Sequence, residues 1–263
     1  MISNNGLTPS YSVPAIWAQG LRKLYGTHEA VKRVDLLVHP GEIVGFLGPN
    51  GAGKTTTLKM LTGLLKPTEG SAAIAGHDIQ TDSLAAKAQF GYVPDTPNLY
   101  GKLNAWEFLR FIGRLYRVPP QQAERRAAEL LRLFDLYDAA GDLIEGYSHG
   151  MQQKMALAGA LVHDPKVLFL DEPTVGLDPR SARLIKDLLV QLGDRGTAVL
   201  FSTHILEIAE RMCDRVIIIN GGQIIAAGTL DELRGAGGHG SLEDIFLSLT
   251  GGAEYAEIAE VLS

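Results

Sequence analysis

Short uninterrupted apolar runs recur along this chain, each bounded by glycine, proline or charged residues. Residues 43–47, 167–170, 198–202 and 216–219 are such runs. They are too short for helices and read as strands buried on both faces, as in a parallel sheet. Strand-like runs at 34–38 and 72–75 flank the first of them, with turns at Pro40 and Gly41 and at 67–70, and a helix is expected over 55–65. At Asn104 the period changes. Asn104 and Glu107 have capping-box spacing, and Phe108, Phe111, Ile112 and Leu115 follow at helical intervals until Pro119 and Pro120 stop the helix. A second helix carries Ala127, Leu130, Leu131 and Phe134 on one face, and a third occupies 151–161. The aromatic and leucine positions of this region are expected to pack as core. Strands then return, with a helix over 180–192 between them. The pattern predicts an α/β fold in which a helical insertion interrupts a mostly parallel sheet.

Beyond the last strand, Thr229 with Glu232 and Ser241 with Asp244 have capping-box spacing, and Leu242, Ile245, Phe246 and Leu249 form an apolar stripe ending at Gly251 and Gly252. Tyr255, Ile258 and Leu262 recur at helical spacing in the tail. The first 12 residues are polar and turn-rich, and read as a disordered leader without the pattern of a secretory signal. At 263 residues the chain can bury one sizeable core. Its net charge of -6 and the absence of any basic block disfavour a nucleic-acid partner. Cys213 is the sole cysteine, which excludes an internal disulfide, fits a reducing cytosol and is expected to serve packing. None of the apolar runs approaches the ~20 residues of a spanning helix.

Chemistry concentrates at two places. Gly48, Pro49, Asn50, Gly51, Ala52, Gly53, Lys54, Thr55 and Thr56 fit the phosphate-loop pattern, between a buried strand and a helix. Glycines let the backbone fold into an amide-lined nest, Lys54 can reach β and γ phosphates, and the Thr55 hydroxyl can complete a Mg²⁺ shell. Further on, Asp171 and Glu172 end a buried strand, where parallel sheets open their ligand crevice. One carboxylate there can serve a metal and the other a water. Ser148 and Gly150 sit at a helix N-terminus, which suits an anion.

Read in order, Tyr25 (taken as an aromatic before the first strand), Gly48 to Thr56, the turn at 91–97, Ser148 to Gln152, Asp171 with Glu172, residues 176–179 and His204 resemble the motifs of the ATP-binding cassette family. The resemblance extends over roughly residues 15–250. It implies a phosphate-loop NTPase core with a mostly parallel sheet, a small antiparallel β region and an inserted helical subdomain. The organisation it suggests is a leader at 1–14 and a single ATPase domain at 15–250, with a nucleotide-binding core at 15–100 and 162–230 and a helical subdomain at 101–161, then a C-terminal helical extension at 231–263. It further implies ATP and Mg²⁺ as cofactors, Lys54, Glu172 and His204 as catalytic residues, and Tyr25 stacked on adenine. Thr55 and Asp171 would hold the metal. Ser148, Gly150, Gln152 and Asp178 would complete the ATP site of an opposing subunit, so that two cassettes meet head to tail.

Two positions depart from the commonest family pattern. Asp95 stands where most members carry glutamine; a short carboxylate can hold Mg²⁺ through water but also repels the γ-phosphate. The signature reads Tyr147, Ser148, His149, Gly150, Met151, retaining the serine and the second glycine. Both variants resemble the exporters of drugs, antibiotics or polysaccharides whose ATPase and permease are separate chains. The expected function is therefore an ATP-hydrolysing subunit at the cytoplasmic face of the membrane. It would dimerise around ATP and drive a separate permease, touched near the 91–100 turn and the Trp106 helix. A soluble cassette ATPase and an ATP-gated regulatory dimer are the alternatives. The remaining histidines, His28, His39, His77, His149, His163 and His239, read as surface or turn residues.

Overall fold

Every run expected to be a doubly buried strand is one in the computed structural model, which describes residues 13–237 and 241–250. In chain order the strands are β1 (Ile16–Tyr25), β2 (His28–Val38), β3 (Ile43–Leu47), β4 (Glu69–Ile74), β5 (His77–Asp78), β6 (Phe90–Val93), β7 (Val167–Asp171), β8 (Ala198–Thr203), β9 (Arg215–Asn220) and β10 (Gln223–Gly228). The helices are α1 (Lys54–Leu61), α2 (Ser83–Lys87), α3 (Ala105–Leu115), α4 (Pro120–Leu133), α5 (His149–Leu161), α6 (Pro179–Asp194), α7 (Leu206–Met212), α8 (Leu230–Gly237) and α9 (Leu242–Thr250).

The strands form one sheet in the order β5-β4-β1-β2-β10-β9-β3-β8-β7-β6. From β9 to β6 all neighbours are parallel. The other end is antiparallel, with β1 between β2 and β4. Successive side chains in the parallel strands feed opposite cores. Leu168, Leu170, Val199 and Phe201 point to one face, where they share a core with Phe108, Leu109, Leu130, Leu131 and Met155 of α3 to α5. Val167, Phe169 and Leu200 point to the other, against α1 and the antiparallel strands. The helical insertion thus has no core of its own; it completes the one on the sheet.

Register sets the chemistry. Leu47 pairs with Thr203, Asp171 with Ser202 and Val93 with Leu170, so the carboxyl ends of β3, β8, β7 and β6 finish at one level. The segments that leave those ends carry Gly48, His204, Glu172 and Asp95 into a common crevice, as open parallel sheets do.

Several local expectations change. Helix α1 ends at Leu61, not near 65, because Gly63 takes a left-handed φ of 66° and the Leu64 and Leu65 amides both donate to Lys59 O. Helix α3 ends at Leu115 ahead of the prolines, and Pro120 instead opens α4, where a missing N–H costs nothing. Its capping box forms, with Asn104 Oδ1 accepting from Glu107 N at 2.9 Å and Glu107 Oε2 accepting from Asn104 N at 3.0 Å. Phe111 and Leu115 are not core residues: they are 41 % and 65 % exposed, while Phe108 and Leu109 take the buried face. Tyr25 closes β1 instead of preceding it, half exposed and outside the core.

The boxes at Thr229 and Ser241 also form. Leu242 and Ile245 of α9 dock with Leu233 on Leu47, Ala209, Val216 and Ile218. Cys213 packs so closely that a Cβ on Gly45 would stand 2.8 Å from its sulfur. Among the described residues no helix is long and apolar enough to cross a membrane. The expected leader, His239 and the stripe of Tyr255, Ile258 and Leu262 lie outside the described residues, apart from residues 13 and 14.

Candidate functional site

The loop from Gly48 leaves the buried end of β3 and turns directly into α1. Glycine is required at two of its positions. A Cβ on Gly48 would lie 2.3 Å from Ile219 O, and Gly53 has a φ of 108° with Ala30 O only 2.9 Å from where its Cβ would be. Lys54 is buried, and its Nζ donates to Gly48 O at 2.7 Å and Pro49 O at 3.2 Å. It also stands 3.8 Å from Glu172 Oε1. Burial lowers the Lys54 pKa, while Glu172 and Asp171 oppose that shift, so the ammonium is held by anions near it.

Asp171 is fully buried at the end of β7. Burial raises its pKa; hydrogen bonding from Ser202 and the nearby Thr55 hydroxyl oppose this, and the charges of Asp95 and Glu172 add to it. Ser202 Oγ donates to Asp171 Oδ1, whereas Oδ2 is buried and has no hydrogen-bond partner among the described residues. An unpartnered carboxylate oxygen beside a threonine hydroxyl, with Asp95 close by, suits a hard oxygen-ligated cation such as Mg²⁺. Among the described residues no three His, Cys, Asp or Glu side chains gather as a metal cage. Such an ion would therefore draw its remaining ligands from water and phosphate.

Glu172 follows with a left-handed φ of 50°, uncommon for a side chain with a Cβ. Its amide donates to Ser202 Oγ at 3.1 Å and to Ser202 O at 3.2 Å, which holds that conformation. Its Oε2 lies 3.0 Å from His204 Nδ1. With the proton on Nδ1 the imidazole donates to the carboxylate and fixes its direction. Glu172 thus sits between a lysine ammonium and a histidine, with one edge open to the crevice.

Tyr25, His28, Ala30, the loop from Asn50 to Thr56, Asp95 and Glu172 line one cleft of about 440 Å³. Asp171 lies beneath it. Asp95 Oδ1 accepts from Thr96 N at 2.8 Å, leaving its other oxygen uncommitted among the described residues. Two residues take part in this site without a local signal in the sequence. His28, read as a turn residue, borders the cleft from the tip of the β1–β2 hairpin. Ser202 binds both carboxylate-bearing residues, a role set by strand register across 31 positions and invisible locally.

Ser148, Gly150, Gln152 and Asp178 do not line this cleft. Ser148 Oγ accepts from Met151 N at 3.3 Å as the N-cap of α5, which leaves its own proton free to donate. Gln152 Nε2 donates to Tyr147 O at 3.3 Å. Asp178 caps α6, accepting from Arg180 N and Ser181 N, both at 3.0 Å. The two turns abut: a Cβ on Gly176 would stand 3.0 Å from the His149 ring. They form a second surface made of a helix N-terminus and an acidic turn.

The profile of the ABC transporter family matches residues 31–175. The daunorubicin resistance ATP-binding protein DrrA3 of Streptomyces coeruleorubidus is 40% identical over 237 residues, covering 90% of this chain and 75% of the relative. A solved ATP-binding subunit of an ABC transporter superposes with a TM-score of 0.86 at 34% identity, covering 90% of this chain and 99% of its own. A dimeric post-hydrolysis state of the ATP-binding cassette MJ0796, bound to ADP and Pi, superposes with a TM-score of 0.75 at 29% identity, covering 82% and 98%. A phosphate loop, an acidic strand end and this likeness over most of the chain converge: the chain belongs to the ABC transporter family, as an ATP-binding subunit.

Proposed function

We propose that this chain hydrolyses ATP within a head-to-tail dimer of two copies and thereby drives export through a separate membrane permease. The observation that carries the reading is the division of the site. Lys54, Thr55, Asp95 and Glu172 share one cleft, while Ser148, Gly150, Gln152 and Asp178 form a separate surface on the same chain. A second copy, related by two-fold symmetry, would lay that surface on the triphosphate.

Lys54 and the loop amides bind the phosphates, and Tyr25 offers an exposed ring for the base. Thr55 and Asp171 would hold Mg²⁺, with Asp95 as a further candidate ligand; when bound, the ion would neutralise charge on the phosphate oxygens. Glu172 takes the proton of the attacking water, and His204 keeps its carboxylate aimed. A base so placed contributes about 10²–10⁴-fold. The Ser148 hydroxyl and the α5 amides of the partner add donors to the γ-phosphate. Exposed Tyr100, Phe111 and Leu115, on the turn after β6 and on α3, support a permease contact there. Export, and a place at the cytoplasmic membrane face, follow from the likeness to a drug-resistance protein. Phosphate release from the full chain tests the chemistry: Glu172→Gln should lower turnover at least about 10²-fold while retaining nucleotide. Turnover that survives the change would remove Glu172 as the base.

A further inference from the structure

A second cleft, of about 420 Å³, opens between α4 and the two loops that lead into β7 and β8. It matches the nucleotide cleft in size but is walled by Arg125 and Arg126 of α4, Lys166 ahead of β7 and Arg195 ahead of β8. Two carboxylates line it. Glu129 and Asp164 stand 3.7 and 3.5 Å from Arg126, while Arg125, Lys166 and Arg195 join none of the ion pairs found among the described residues. This local excess of cations arises in a chain whose net charge is -6. Among the described residues Arg126 Nε is moreover buried without a hydrogen-bond partner, so this guanidinium is not fully satisfied by Glu129 and Asp164.

The cleft is not part of the nucleotide site. Lys166 and Asp171 bracket the length of β7, so at ~3.3 Å per residue they are roughly 16 Å apart. We propose that this cleft is a second anion site that takes a small oligophosphate, either inorganic or the diphosphate of a nucleotide. Guanidinium groups from two elements, set around one cavity, favour a ligand with several phosphate oxygens over a single charge. The bound anion ties α4 to the loops entering β7 and β8, and so braces the helical insertion against the catalytic strands.

Calorimetric titration of pyrophosphate, and separately of ADP, into the full chain carrying Lys54→Ala tests the site with the phosphate loop weakened. Arg125→Gln and Arg195→Gln, both at exposed positions, should each weaken binding at least about tenfold, the scale of one lost charge-assisted hydrogen bond. A response of pyrophosphate alone assigns an inorganic ligand, and a response of ADP as well assigns a nucleotide. Neither ligand binding, affinities unchanged by both substitutions, or equal competition by sulfate at the same ionic strength would each overturn the proposal.

Discussion

Replacing Ser202 by alanine removes one hydroxyl that serves both acidic residues of the site. Asp171 is fully buried and its Oδ2 already lacks a partner among the described residues; without Ser202 its Oδ1 loses its donor as well. A hydrogen bond to a charged group is worth about 1.5–3 kcal/mol, and the volume change from serine is too small to add a large cavity cost. Glu172 N keeps Ser202 O at 3.2 Å, so its left-handed backbone is loosened, not released. Thermal unfolding in chelator should therefore show Ser202→Ala destabilised by about 2 kcal/mol near pH 8. The sign with pH follows from Asp171, whose pKa burial raises above the unfolded value. Ionising it costs folding free energy, so its destabilising contribution is absent below the unfolded pKa and complete above the folded one. Ser202 relieves that cost mainly when Asp171 is charged. The deficit of the alanine variant should thus shrink towards about 1 kcal/mol as pH falls through the raised pKa of Asp171, where a neutral hydrogen bond remains. Activity should require more Mg²⁺ than in the parent chain. A deficit independent of pH, together with an unchanged Mg²⁺ requirement, would refute the coupling.

Other substitutions test separate parts. Gly53→Ala places a Cβ against Ala30 O at a φ of 108°, so it should cost about 1–3 kcal/mol of stability and abolish retention of a fluorescent ATP analogue. Retention equal to the parent would contradict the nest geometry. Tyr25→Ala removes an exposed ring and should weaken ATP about 2- to 10-fold in equilibrium dialysis, with Tm unchanged because the ring packs on no core. A lowered Tm with intact affinity would make Tyr25 a structural residue.

What the sequence made legible was what neighbours along the chain determine. The strands at 43–47 and 167–170 are buried on both faces, and their composition announces it. The capping box of Asn104 and Glu107 spans one helical turn, and the phosphate loop from Gly48 to Thr56 is likewise one contiguous segment. Features set by distant partners were less visible. Strands β1 and β2 pair through repeated register shifts, with polar residues facing solvent, so neither shows a clean period. Phe111 and Leu115 share the spacing of Phe108, yet α3 has only one covered face and they fall outside it. Ser202 looks like the end of an apolar run until β7 and β8 align it with Asp171.

The division of the site between two surfaces predicts an assembly that forms only with nucleotide. The direct measurement is the mass in solution, by light scattering, of the Glu172→Gln chain with and without saturating Mg²⁺ and ATP. The proposed mechanism predicts one chain without ATP and two with it, reverting to one when Ser148→Arg is added. A single chain under both conditions, or a pair indifferent to ATP, would contradict it.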